Sequence, residues 1–179
     1  AVEEVKADHE TPAGYTERLA LEKALDVAKR TAHEHSLPAW IVAADTVVVL
    51  DGVVLEKPAD AEDAKRMLRA LAGRGHVVTT AYCVLERHTG THRVCAISAD
   101  VRLYELTQDI IERYVATGEP MDKAGAYGIQ GVAAAFVERI EGSYSAIVGL
   151  PLAHLARTMV RMGALAAFPL APTTLEGSS

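Results

Sequence analysis

The sequence predicts an α/β domain with a mixed or antiparallel sheet flanked by helices. Three observations carry this. Helical and strand-like stretches interleave along the chain rather than segregating into halves. An apolar run from Trp40 to Leu50, with three consecutive valines, has the length and β-branching of a buried strand. Two stretches rich in valine, threonine and small apolar residues flank Thr89-Gly90 and read as a long hairpin.

The elements follow in order. Thr11-Pro12 opens a helix as cap and first position, running to about Arg30 with Tyr15, Leu19, Ala24, Val27 and Ala28 on its core face. After the Trp40–Leu50 strand, Asp51-Gly52 turns the chain into a short strand at Val53 to Leu55. Asp60 and Asp63 resemble an acidic capping pair for a helix that points Ala64, Met67, Leu68 and Leu71 inward and stops at Gly73-Arg74-Gly75. The hairpin occupies His76 to Glu86 and His92 to Tyr104, and Thr107 caps a helix ending near Gly118. A glycine-rich polar stretch precedes a strand-like run from Ala133 to Ile140, and Pro151 opens the last helix. The 179 residues suit one domain, expected over residues 1–168, with a loose Pro-, Thr-, Ser- and Gly-rich tail over 169–179.

Composition narrows the function. A net charge of −6 gives no footprint for a nucleic-acid polymer, although a few lysines suffice for a nucleotide. No apolar stretch approaches the roughly 20 residues of a membrane span, and no basic-then-apolar signal opens the chain, so a cytoplasmic protein without a membrane partner is expected. The seven histidines have no zinc spacing, and Ser143 and Ser145 sit in no nucleophile elbow. Cys83 and Cys95 fall roughly opposite each other in the hairpin; buried thiols are expected, with a bridge as the alternative.

A few polar residues demand explanation. Asp45 interrupts an apolar strand, where a carboxylate is costly unless paired, hydrogen-bonded or bound to metal. It is a candidate for function or for backbone hydrogen bonding at a strand end. Lys57, stiffened by Pro58, offers a positioned charge, though most lysines are surface groups. The stretch Asp122-Lys123-Ala124-Gly125-Ala126-Tyr127-Gly128-Ile129-Gln130-Gly131 leaves backbone amides accessible, brings Lys123 to an anion and offers the Gln130 amide as donor and acceptor. It is not a P-loop, and a structural glycine-rich connection is the competing reading. Tyr127 and Tyr144 suit stacking on a base, or a core position with the hydroxyl satisfied.

These segments together resemble the Maf family of nucleotide pyrophosphatases. The resemblance rests on Ala43-Ala44-Asp45-Thr46-Val47-Val48, Leu55-Glu56-Lys57-Pro58, the stretch from Met67 to His76, Gly118-Glu119-Pro120-Met121 through Gly131, and Val148-Gly149-Leu150-Pro151. It implies a single Maf/ITPase-like domain with a twisted sheet and a central cleft. The implied activity is metal-dependent hydrolysis of a nucleoside triphosphate to monophosphate and pyrophosphate. Asp45-Thr46 and Lys123 to Gln130 resemble the branch acting on dTTP and UTP, with modified pyrimidine nucleotides as further substrates.

By the same resemblance Asp45 is a base for water or a partner of Mg²⁺ or Mn²⁺. Lys57, Lys123 and Gln130 belong to the catalytic set, and Thr46, Arg74, Tyr127 and Gly128 to the substrate site. Glu3 is the matching metal ligand, with Glu4 as competitor. A homodimer and a link to septum formation are also implied. The family's Leu-Ala-Ser-x-Ser-Pro-Arg-Arg type loop has no counterpart in the sequence, which predicts weaker turnover than in a chain carrying it. A catalytically weak nucleotide sensor of cell division is the alternative function. An inosine triphosphate pyrophosphatase is disfavoured by the block at 122–131.

Overall fold

The computed structural model describes residues 6, 7, 9–34 and 36–167. Helix α1 (Pro12–Arg30) starts where Thr11 accepts a hydrogen bond from the Gly14 amide at 3.1 Å. It buries Tyr15, Leu19, Ala20 and Ala24, while Val27 and Ala28 are half-buried. Strands β1 (Trp40–Leu50) and β2 (Val53–Leu55) are joined by Asp51 and Gly52, both at positive φ, which closes the tight turn.

Helix α2 (Ala61–Leu71) confirms the acidic cap in a modified form. Asp60 accepts from the Asp63 amide at 2.8 Å, and Asp63 reaches back to the Ala59 amide rather than to that of Asp60. Strands β3 (Gly75–Glu86) and β4 (His92–Leu103) form the long hairpin. Thr107 caps α3 (Gln108–Ala116).

Two expectations change after α3. Residues 132–136 form a tight 3₁₀ turn, so β5 begins only at Val137 and runs to Glu141. The turn is anchored because the Glu119 carboxylate accepts the Val132 amide at 3.0 Å. Helix α4 (Tyr144–Val148), capped by Ser143, has no sequence signature; five residues are too few for a helical period to register. Helix α5 (Leu152–Arg161) follows Pro151 as expected.

The sheet order is β2-β1-β3-β4-β5, and every described pairing is antiparallel, which decides between the mixed and antiparallel alternatives. Alternation along the strands separates two faces. One face carries Ala81, Cys83 and Leu85 against Ala20 and Ala24 of α1. The other holds the largest core, where Val48, Val78, Val101 and Leu103 meet Leu68, Leu71, Ile111 and Tyr114 of α2 and α3. Beside it, Tyr82 and Val84 pack on Leu155 of α5. Cys83 therefore faces α1 while Cys95, paired opposite Tyr82, faces α5; both thiols are free, and the bridge is excluded. Burial pushes the Cys83 thiol up to about 11, so it is inert packing. Among the described residues no helix is long and apolar enough to cross a membrane.

Candidate active site

Strand β2 pairs only with Val48, Val49 and Leu50, whereas β3 pairs with β1 from Trp40 to Val49. Among the described residues, nothing pairs with the earlier part of β1 on its β2 side. A cleft of about 460 Å³ opens there, between β1, the end of β2, the 122–131 loop and α4. It gathers Asp45, Thr46, Lys57, Lys123, Tyr127, Gly128 and Gln130. Asp45 and Thr46 point to opposite faces of the sheet, and both border this cavity.

Asp45 is held by a residue the sequence did not single out. Lys23 of α1 donates to its carboxylate at 2.5 Å, and the Asp45 side chain is only 12% exposed. Lys23 lies one turn beyond Leu19, beside Ala20 and Ala24 on the buried stripe of α1. A lysine on such a stripe was the available signal.

The opposite wall is built by backbone. The Gly125 amide donates to the Glu56 carbonyl at 3.1 Å, fastening the loop next to Lys57. Gly125 lies at φ +68°, and a Cβ there would stand 2.9 Å from Val48, so both conformation and space require glycine. Lys123 donates to the exposed Asp122 carboxylate at 2.7 Å, and this contact holds the Asp122 carboxyl below its ordinary range. An ion pair so exposed is weak, so an incoming anion competes easily for the lysine. Gln130 is exposed to the cleft.

Two residues behind the loop order it. Glu119 accepts from the Tyr114 hydroxyl at 2.9 Å and from the Val132 amide at 3.0 Å, while the Gly128 amide donates to Tyr114 at 3.3 Å. Burial alone would raise the Glu119 carboxyl; the Val132 amide, the Tyr114 hydroxyl, the Ala133 amide and the Lys123 charge together hold it below its usual range. His76, at the start of β3, meets the Tyr127 hydroxyl at 2.7 Å through Nε2. The rings pack edge to face. Tyr127 is thus a buried strut at the cleft wall, its hydroxyl satisfied by His76, and burial raises its pKa.

One expected site residue is not brought here. Arg74 lies outside the cleft lining and donates to both oxygens of Asp51, at 2.9 and 2.7 Å, across the β1–β2 turn. Glu3 and its competitor Glu4 lie outside the described residues, as does the tail beyond 167. Tyr144, considered for stacking, is exposed on α4 and does not line the cleft.

The chain is similar to several curated bacterial proteins. A protein of Syntrophotalea carbinolica named dTTP/UTP pyrophosphatase is 45% identical over 165 residues, 92% of this chain and 74% of that protein. One of Geobacter sulfurreducens with the same name is 47% identical over 87% of this chain and 79% of its own length. One of Escherichia coli, again so named, is 46% identical over 92% and 80%. The profile of the Maf-like protein family matches residues 1–162, from α1 to α5 and across the whole cleft. The chain belongs to the Maf family.

Proposed function

We propose that this chain hydrolyses nucleoside triphosphates, chiefly dTTP and UTP and their modified pyrimidine relatives, to the monophosphate and pyrophosphate. The observation that carries the reading is the shared cleft in which Asp45, Lys57, Lys123 and Gln130 converge, in a chain whose relatives are named dTTP/UTP pyrophosphatases. The products define the bond broken as the α–β anhydride, with water as the nucleophile. In this reading Asp45 accepts that water's proton, and the hydrogen bond from Lys23 supports its orientation. Lys57 and Lys123 neutralise phosphate oxygens as charge develops on them. Gln130 supplies amide donor and carbonyl acceptor for orientation.

A divalent cation fits this cleft in one way. Asp45, Glu56 and Asp122 are among the residues that line it, and a carboxylate is the hard oxygen donor that Mg²⁺ and Mn²⁺ favour. Among the described residues no group of three His, Cys, Asp or Glu side chains is arranged to hold a metal. Asp45 would therefore hold the ion jointly with substrate phosphates and water, as is usual for Mg²⁺. When bound, the ion supplies charge neutralisation at the reacting phosphoryl group. One folded domain, a homodimer and a cytoplasmic setting belong to the same reading.

The test is pyrophosphate release from dTTP, UTP, CTP, GTP and ITP with Mg²⁺, Mn²⁺ or EDTA. Turnover of dTTP and UTP that EDTA abolishes is expected; release from none of them would sink the reading. Nucleotide binding without release would favour the sensor alternative.

The loop geometry adds a second expectation. A Cβ on Gly128 would lie 2.5 Å from Cε and 2.6 Å from Cδ of Lys123, while the Gly128 backbone is outside the left-handed region. Gly128→Ala should therefore keep or slightly raise Tm, since alanine restricts the unfolded chain. The displaced lysine should lower kcat/KM about ten- to a hundredfold. Full activity would show that Lys123 tolerates another position.

A further inference from the structure

The Thr80 side chain is completely buried in β3, directly opposite Thr46 of β1. Its Oγ1 lies 2.7 Å from the carbonyl oxygen of Ala146 in α4 and 2.7 Å from Oγ1 of Thr46. A carbonyl only accepts, so the single hydroxyl proton of Thr80 is committed to Ala146. The contact between the two threonines then runs in one direction: Thr46 donates and Thr80 accepts. Thr46 has spent its only proton, and its oxygen offers the cleft lone pairs alone. Gly149, at φ +120°, lies beside that oxygen, and a Cβ added there would make only ordinary contact with it at 3.7 Å.

We propose that Thr80 is a specificity-determining positioning residue, which makes Thr46 an obligate hydrogen-bond acceptor and reserves this point of the cleft for a proton-bearing group of the nucleoside. The proposal rests on the pyrophosphatase reading above. A triphosphate at neutral pH carries oxygens that accept, so the phosphate chain is turned away from Thr46 and toward Lys57 and Lys123. Thr46 is tied to α4, whose Ile147 and Val148 give that part of the cleft an apolar wall suited to a base or sugar.

Two donors are common to dTTP and UTP: the base N3–H and the sugar 3′-hydroxyl. Cytosine presents an unprotonated N3 in the same position and would meet lone pair with lone pair. A site that leaves a buried polar group facing the wrong partner discriminates strongly.

The experiment compares kcat/KM for UTP, CTP, N3-methyl-UTP, dTTP and 2′,3′-dideoxy-TTP on the wild-type chain, Thr80→Val and Thr80→Ser. The wild type is expected to use the analogue lacking the recognised donor at least about tenfold less well than its parent, by the worth of one matched hydrogen bond. Failure of N3-methyl-UTP and CTP assigns the base; failure of the dideoxy compound assigns the sugar. Thr80→Val frees the Thr46 hydroxyl to rotate and donate, so the gap should shrink to about threefold or less, mainly through KM. Thr80→Ser keeps the hydroxyl and should restore the gap.

Wild-type turnover that is indifferent to both analogues overturns the proposal, as does a Thr80→Val enzyme with undiminished discrimination. Should Thr80→Val fold poorly, Thr80→Ala, which also removes the hydroxyl, takes its place and should show the same narrowed gap. If the wild type hydrolyses no nucleotide, the pyrophosphatase reading has failed instead.

Discussion

Asp45→Asn is expected to lower kcat by about 10²–10⁴, the usual worth of a positioned general base, while nucleotide KM in Mg²⁺ changes far less. Asparagine keeps the shape of the side chain and can still accept from Lys23, but it neither takes up the water's proton nor carries charge toward a cation. The stability cost should be about 1–3 kcal/mol, the scale of a hydrogen bond to a charged group, because the pair is only partly shielded from water. Circular dichroism and a urea midpoint would establish that the variant is folded. Lys23→Met serves as the companion: it leaves the carboxylate in place but unclamps it, so its kcat should fall less. An Asp45→Asn protein retaining more than about a tenth of wild-type kcat would remove Asp45 from the chemical step.

The second large effect concerns stability against pH. His76 is buried, its Nδ1 has no hydrogen-bond partner among the described residues, and its Nε2 is engaged by Tyr127. Burial pushes the imidazole down from 6.5 to about 4, against the opposing pull of the Asp100 carboxylate. The unfolded chain takes up the proton near 6.5 and the folded chain only near 4, so between those values unfolding is accompanied by proton binding. Stability is complete above about pH 6.5 and is lost as pH falls toward 4, by about 3 kcal/mol from this residue alone. Urea midpoints for the wild type and His76→Phe at pH 7.5 and 4.5 would check it. The wild type should lose about 3 kcal/mol more than the variant over that interval; equal losses would assign the acid sensitivity elsewhere.

The fold was legible where burial imposed a period. α1, β1, α2 and the hairpin carried caps, turns and apolar faces that agree with one another. The stretch 133–140 reads as strand throughout because three alanines carry almost no periodic signal. The 3₁₀ turn there is set by the hydrogen bond that the Val132 amide donates to Glu119, thirteen residues earlier.

The candidate site shows the same division. Asp45 stood out because a carboxylate is anomalous in a strand of valines. Lys57 and Lys123 gained meaning only from the resemblance, since an isolated lysine says little about its neighbours. Arg74 was drawn in by the same resemblance, and its side chain turned out to face Asp51. Lys23, Thr80 and His76 were missed because their roles depend on partners across the sheet, and partner identity is a property of register.

The separate origins of the two cleft walls also bear on the order in which the protein can assemble. One wall of the cleft is complete once α1, β1 and the hairpin have met. The hairpin itself closes through a short turn, at small entropic cost. The other wall arrives only when β5 returns to β4, enclosing α3 and the entire 122–131 loop in one long excursion. Long closures are slow, because their entropy is lost before their contacts form. The sheet is therefore expected to form before the cleft, and refolding followed by separate probes on β3 and on the 122–131 loop would check that order.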